Sequence, residues 1–247
     1  MLLDINNDDE NSKLLKTADY KGSIFTVGIE SQADYVAKDV KFSRKGMSFT
    51  VSLKGEDYQF RIPNVGSHNV IAALFAIGVG DQLGVDPEIL QSGLNNSKKP
   101  SNRLSITELR NRITIIDDTV HAHPPAMKSA LDILETIDAN QRIAVLGSMA
   151  ELGDQIIEYH EDVGKYASTK NLDFLFTYGN LSRSIGEGAI KNGFNEENVR
   201  HKTPLYRRVL HRELVDLIKP GAVILVKGAS RLNMVETVEF LCEYYRN

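Results

Sequence analysis

Tryptophan is absent and cysteine occurs once, as Cys242. No intramolecular disulfide can form, and a lone thiol in the apolar stretch VEFLCEYY reads as a small buried hydrophobe in a reducing compartment. No apolar run approaches the roughly 18 residues that span a bilayer. The N-terminus MLLDINNDDE also lacks the basic flank of a secretory signal. A cytoplasmic protein with no membrane partner is expected. An excess of one charge is missing too: residues 1–100 hold 11 basic and 13 acidic residues, the rest 18 and 20, for a net charge of −4. Neither half offers the basic face that would make nucleic acid a principal partner. Internal repeats and low-complexity tracts are likewise lacking.

What is present is a globular composition. With 247 residues and 42% hydrophobic side chains, the chain can bury a sizeable core in one or two domains. Leu2 to Ile5 and Ile24 to Ile29 read as short strands. Between Met47 and Ile62 the apolar residues alternate on both sides of a turn at Lys54 to Asp57, which is the pattern of an antiparallel hairpin with one buried face. Gly66 to Leu83 carries Val70, Ala73, Leu74 and Ile77 at helical spacing, and further apolar residues fill much of its circumference. Such a helix is largely buried. Asp86-Pro87-Glu88 opens a short helix to about Gly93, and NNSKKPSN, Asn95 to Asn102, is the most linker-like stretch in the chain. A domain boundary is expected near Pro100, between residues 1–100 and 101–247.

Beyond the linker, strands and helices alternate regularly. Strands are expected near Leu104 to Leu109, Ile113 to Ile116, Ile143 to Leu146, Phe174 to Thr177, Val199 and Val223 to Val226. Helices are expected from Pro124, Ile156, Ser182 and Pro204, with a last one running to Tyr245. This alternation defines an α/β domain with a mostly parallel sheet and helices on both faces. Its most informative stretch is Arg112 to Gly153, a strand, an acidic turn at Asp117 and Asp118, a helix opened by Pro124-Pro125, and a strand ending at Gly147. Ligand crevices of such sheets lie outside the carboxyl ends of the strands.

Several local patterns in series carry a resemblance. They are Gly66-Ser67-His68-Asn69-Val70, Asn102-Arg103-Leu104, Ile115-Ile116-Asp117-Asp118 leading to His123-Pro124, and VLGSMAELG from Val145 to Gly153. Val226-Lys227-Gly228 follows, with Ser230, Arg231 and Glu236. In this order they resemble the Mur ligases over nearly the whole chain. The resemblance implies a C-terminal Rossmann-like, mostly parallel domain, preceded by the tail of an α/β ATPase domain that carries the antiparallel hairpin. It also implies an ATP- and Mg²⁺-dependent amide ligase of peptidoglycan-precursor type, which phosphorylates a carboxylate and lets an amine attack the acyl phosphate. Arg103 would meet the γ-phosphate as the catalytic residue. His68, Asn69, Asp118 and His123 would handle the nucleotide, with Asn69 at the adenine edge and Asp118 at the ribose. Ser230, Arg231 and Lys227 would face the incoming amino acid or peptide. These residue types suit the chemistry: a guanidinium fork grips phosphate, and an amide offers a donor and an acceptor to a purine.

The departures from the family pattern are specific. Ala72 stands where a second asparagine is usual, His121 and His123 replace asparagines, and Asn102 replaces the glycine before the arginine. Gly-x-x-x-x-Gly-Lys-Ser/Thr is absent, so the backbone cradle for phosphates and the hydroxyl for Mg²⁺ must come from a P-loop-bearing domain or chain. The alternative is a non-catalytic Mur-like binding protein, or a subunit that needs a separate P-loop chain. Asp117, Asp118, His121 and His123 also fall within seven residues, a composition able to bind a transition metal, although consecutive turn residues rarely converge on one ion. Gly147 to Gly153 is no dinucleotide fingerprint. Lys227 reads equally as a substrate contact or an exposed charge.

Overall fold

The computed structural model describes residues 1–98 and 102–246. The chain divides into two compact units, Met1–Lys99 and Pro100–Asn247. The boundary expected at Pro100 lies itself outside the described residues.

In the first unit, β1 (Leu2–Asn6), β2 (Ser23–Gly28) and β3 (Tyr35–Val36) form a parallel sheet in that order. A second, antiparallel sheet consists of β4 (Lys38–Ser43), β5 (Gly46–Leu53) and β6 (Glu56–Ile62). The hairpin β5–β6 follows from its alternation, but its turn is tighter than expected. Leu53 pairs with Glu56, leaving only Lys54 and Gly55 in the loop. Both have positive φ, 52° and 89°, the two-residue geometry whose twist matches the flanking strands. Strand β4 was not anticipated, because only Val40 and Phe42 alternate among exposed polar neighbours.

Phe49 and Phe60 are cross-strand partners and stack with ring centroids 6.0 Å apart. Against them pack Phe25 and Val27 of β2 and the buried face of α1 (Ser67–Gln82), with Val70, Leu74 and Ile77 fully enclosed. α2 (Pro87–Asn95) closes the unit. Its last turn takes in Asn95, so the linker-like composition begins one residue into the helix.

The second unit is a six-stranded sheet with helices on both faces. Its elements are β7 (Ser105–Glu108), β8 (Thr114–Asp118), α3 (Pro124–Thr136), β9 (Gln141–Gly147), α4 (Ile156–Ser168), β10 (Phe174–Tyr178), α5 (Arg183–Lys191), β11 (Val199–Lys202), α6 (Arg207–Leu217), β12 (Ala222–Lys227) and α7 (Val235–Arg246). The order across the sheet is β11-β10-β9-β12-β8-β7, parallel except for the edge strand β7. All six residues of β12 are buried, as a central parallel strand covered on both faces requires. Ile115, Ile143, Val145, Ile224 and Val226 meet Leu210 and Leu214 of α6 and Val238 and Leu241 of α7. The alternate positions point the other way by the pleat, where α3 packs on β9 and β12. No helix among the described residues is long and apolar enough to cross a membrane.

Two details sharpen the expected strand-helix-strand unit. β8 and β9 are not neighbours, since β12 lies between them. The acidic pair is also not in a turn: Asp117 and Asp118 are the last two residues of β8.

Candidate ligand site at the strand carboxyl ends

β8, β12, β9 and β10 end side by side, and the loops that leave them are tied together by hydrogen bonds. In register across the sheet, Asp118 of β8 pairs with Lys227 of β12, which pairs with Leu146 of β9. Lys227 is 1% exposed. Its Nζ donates to Asp118 Oδ2 at 2.5 Å and to the His121 carbonyl at 2.9 Å. Burial pushes the ammonium below its ordinary pKa, the Asp118 carboxylate opposes that shift, and the nearby Arg103 charge adds to it. Lys227 is therefore not an exposed charge. It is an internal tie that holds both the carboxylate assigned to the ribose and the backbone of the loop before α3.

Backbone bonds complete the tie. Gly228 N donates to Asp118 O and Ser230 N to Val120 O, so the loop after β12 zips onto the loop after β8. Gly147 and Gly228 face each other beneath Met234, and a Cβ on either would run into its sulfur. On the other side Thr119 N donates to Asn102 O at 3.1 Å. Asn102 has φ 58° and Leu104 φ 47°, so exposed Arg103 stands between two left-handed residues. That conformation explains the departure from glycine at position 102. Asparagine is among the few side chains that adopt it routinely.

His123 caps α3: it has extended backbone, and its Nδ1 accepts from Ala126 N at 3.5 Å. Loss of solvent, together with the charges of Lys227 and His121, holds its imidazole below the ordinary pKa. Asp117 receives the Thr119 hydroxyl at 2.8 Å. Burial raises its carboxyl pKa against the Thr119 bonds, and negative Asp118 and Glu239 add to the rise. Asp117, Asp118 and His123 thus face separate partners. Among the described residues no group of three or more histidine, cysteine or acidic side chains could hold a metal ion.

Ser230 begins a short 3₁₀ turn, Ser230–Leu232, and is exposed. Arg231 reaches back over β9, with its Nη2 3.4 Å from the Met149 carbonyl. In the first unit, Gly66 caps α1, with φ 103°. The Asn69 amide donates to Val65 O at 2.7 Å and lies 3.0 Å from His68 Nε2.

Three supporting groups were missed by the sequence reading. Fully buried His160 accepts Met149 N at Nε2, 2.9 Å, while its Nδ1 lies 2.6 Å from Ile156 O. It thereby anchors the loop after β9. Ser148 Oγ accepts Ser182 N at 2.9 Å. Arg207, at the start of α6, bonds the Tyr178 hydroxyl, the Leu232 carbonyl and Glu236. No local motif marks any of them, since each contact joins residues from different elements.

This geometry defines a class: an open α/β domain whose ligand crevice is a hydrogen-bonded rim at the strand ends, with exposed Arg103 and Arg231 on its loops and a buried ion pair within it. Its family follows from two matches. The Mur ligase, glutamate ligase domain matches residues 102–230, and the Mur ligase middle domain matches residues 2–80. The chain belongs to the Mur ligase family. It is 34% identical over 231 residues to the UDP-N-acetylmuramoyl-tripeptide--D-alanyl-D-alanine ligase of Bacillus subtilis (strain 168), covering 93% of this chain and 49% of that protein. The Escherichia coli (strain K12) ligase of the same name is 28% identical, covering 86% of this chain and 45% of its own length. Among solved structures, MurF from Acinetobacter baumannii superposes with a TM-score of 0.84 at 22% identity, over 98% of this chain and 51% of that one. MurF ligase from Thermotoga maritima in complex with ADP gives 0.79 at 19% identity, over 98% and 53%. The chain spans about half the length of the curated relatives it matches.

Proposed function

We propose that this chain is the C-terminal part of an ATP-dependent amide ligase acting on peptidoglycan precursors. Its relatives' names point to a UDP-N-acetylmuramoyl tripeptide as the carboxylate and D-alanyl-D-alanine as the amine. A cytoplasmic setting belongs to the same reading. ATP supplies the phosphoryl group that turns the carboxylate into an acyl phosphate open to attack by the amine.

The observation that supports this most directly is the presentation of Arg103. Its guanidinium is exposed, its backbone is fixed between two left-handed residues, and its charge is felt at the buried Lys227. A pre-positioned guanidinium stabilises charge on a transferred phosphoryl group. Lys227 acts through position, holding Asp118 and the His121 carbonyl, so that Asp118 presents what remains of its carboxylate toward a ribose. His123 shapes the same loop by capping α3. Ser230 and Arg231, on the loop zipped to it, face the incoming amine component. Asn69, with His68 beside it, meets the adenine edge.

The residues present do not complete a Mg²⁺ site: no group of three potential ligands gathers among those described, and the sequence holds no P-loop. Mg²⁺ and the phosphate cradle are therefore assigned to a P-loop-bearing domain or chain. Ala72 and the closed Lys227–Asp118 pair favour the second reading, a Mur-like binding protein without catalysis.

Calorimetric titration of ADP, with Arg103→Ala beside the parent chain, tests the nucleotide role. A ligation assay with added P-loop domain separates the two readings. Ligation by the 247-residue chain alone would overturn the role given to the missing loop.

A further inference from the structure

The outer side of α6 and α7 carries a groove that the ligase reading leaves unused. Arg208, His211, Arg212, Val215, Phe240 and Tyr244 line a cavity of about 460 Å³, within the ~300–1,000 Å³ range of small-molecule sites. Past Arg208 and His211 it continues into a second hollow of about 430 Å³ beside Pro204, Leu205 and Tyr206.

The groove has two chemical features. The first is an aromatic wall. His211 lies flat on Phe240, with ring centroids 4.3 Å apart and planes 11° from parallel, and Tyr244 follows at 6.1 Å. Burial and the Arg207 charge depress the His211 pKa against the opposing charge of Glu236, and its Nε2 lies 3.1 Å from the Thr237 hydroxyl. Tyr244 is 56% exposed, with Tyr245 set edge-on to it at 4.9 Å.

The second is a pair of uncommitted cations. Arg208 and Arg212 are one helical turn apart on α6 and both exposed. Their neighbours Arg207 and Lys202 are paired with Glu236 and Glu213. Arg208 and Arg212 have no such partner among the described residues. In a chain of net charge −4 two unpaired guanidiniums side by side are a local exception. Residues i and i+4 on a helix lie close enough to act on one group, and guanidinium forks match phosphate oxygens.

We propose that this groove binds a flat aromatic anion, a nucleoside phosphate being the class that uses both features: the base stacks along Tyr244 and the phosphate meets Arg208 and Arg212. The contacts assigned to the ligand, Tyr244, Arg208 and Arg212, are not residues of the strand-end rim, although Arg207 and Glu236, which line the second hollow, also tie the loop after β12.

The test is calorimetry of the full chain with adenosine 5′-monophosphate, inorganic phosphate and adenosine. The nucleotide is expected to occupy one groove site per chain, counted apart from any binding at the rim, more tightly than either half. Arg208→Glu with Arg212→Glu weakens it about tenfold or more without changing Tm, because both side chains are exposed. Tyr244→Ala weakens the nucleotide and leaves phosphate unchanged. The loss on double charge reversal persists in an Asn69→Ala background, in which the adenine contact assigned to the rim is removed. The proposal is overturned by nucleotide affinity that, in the Asn69→Ala background, survives the double charge reversal, equals the affinity for phosphate, or is absent at millimolar concentration. Loss on Asn69→Ala alone would place the nucleotide on the rim instead.

Discussion

Lys227 Nζ sits 2.5 Å from Asp118 Oδ2 across two neighbouring parallel strands, and the same ammonium holds the His121 carbonyl. The pair is buried, at 1% and 8% residue exposure. Removing one partner leaves a charge in a medium that solvates it poorly. Lys227→Met should therefore cost about 3–5 kcal/mol of unfolding free energy. Combining it with Asp118→Asn should restore part of that loss, because no unpaired charge remains. Urea unfolding of the two single variants and the double variant checks this. Additive losses would mean that the two residues do not act as a pair.

His160 makes stability depend on pH. Both ring nitrogens are engaged, and Met149 N–H points at Nε2. A proton added at Nε2 would face a donor. Burial lowers the pKa below the ordinary 6.5, against the effect of the Ile156 bond. The unfolded chain then binds the proton first as pH falls. Stability is thus fully present above about 6.5 and is lost as pH drops from there toward the folded value. His160→Gln lacks this titration, while the other histidines remain in both proteins. The stability gap between parent and variant should narrow between pH 7 and 5. A constant gap would mean that His160 does not carry the effect.

The alternation of strands and helices after residue 102 was legible because each element has its own period: Ile113, Ile115 and Ile116 for a strand, then Met127, Leu131 and Leu134 for a helix. The buried α1 was legible for the same reason. The order of strands was not. Nothing in Ala222 to Lys227 says that it slots between β8 and β9, and with that placement goes the Lys227–Asp118 contact, which joins residues 109 apart. The site therefore reads from sequence as a set of exposed polar residues near Gly and Pro. Its supporting ties, His160, Ser148 and Arg207, come only from tertiary proximity. Asn102 is the intermediate case. Its replacement of the family's glycine was visible in the sequence, but the left-handed φ became visible only in the fold.

That φ of 58° makes Asn102 testable. Asn102→Gly should leave stability within about 1 kcal/mol of the parent. Asn102→Val places a β-branched side chain in the left-handed region and should cost about 1–2 kcal/mol. If Arg103 depends on this backbone, Asn102→Val also weakens ADP binding whereas Asn102→Gly does not. Thermal unfolding and ADP calorimetry on both variants report the two effects separately. Equal behaviour of the glycine and valine variants would remove the backbone argument.

Arg207 joins the end of β10, the Ser230–Leu232 turn and the start of α7 at once. Its Nε donates to the hydroxyl of fully buried Tyr178 at 3.0 Å, its Nη2 to the Leu232 carbonyl at 3.2 Å, and its Nη1 to Glu236. Lysine keeps the charge but has one nitrogen at its tip, so it cannot reach the three acceptors together. Arg207→Lys should cost about 1–3 kcal/mol, and the loss should be local. The carbonyl it releases belongs to the Ser230–Leu232 turn, which presents Ser230 and Arg231. Amide hydrogen exchange should therefore speed up in residues 228–234 while β8 and β9 keep their protection, since the Lys227–Asp118 tie lies on the other side of that loop. Tyr178→Phe removes one of the three bonds and should produce a smaller change in the same amides. Uniform acceleration across the sheet would show that Arg207 supports the whole unit and does not specifically fix the loop that faces the amine component.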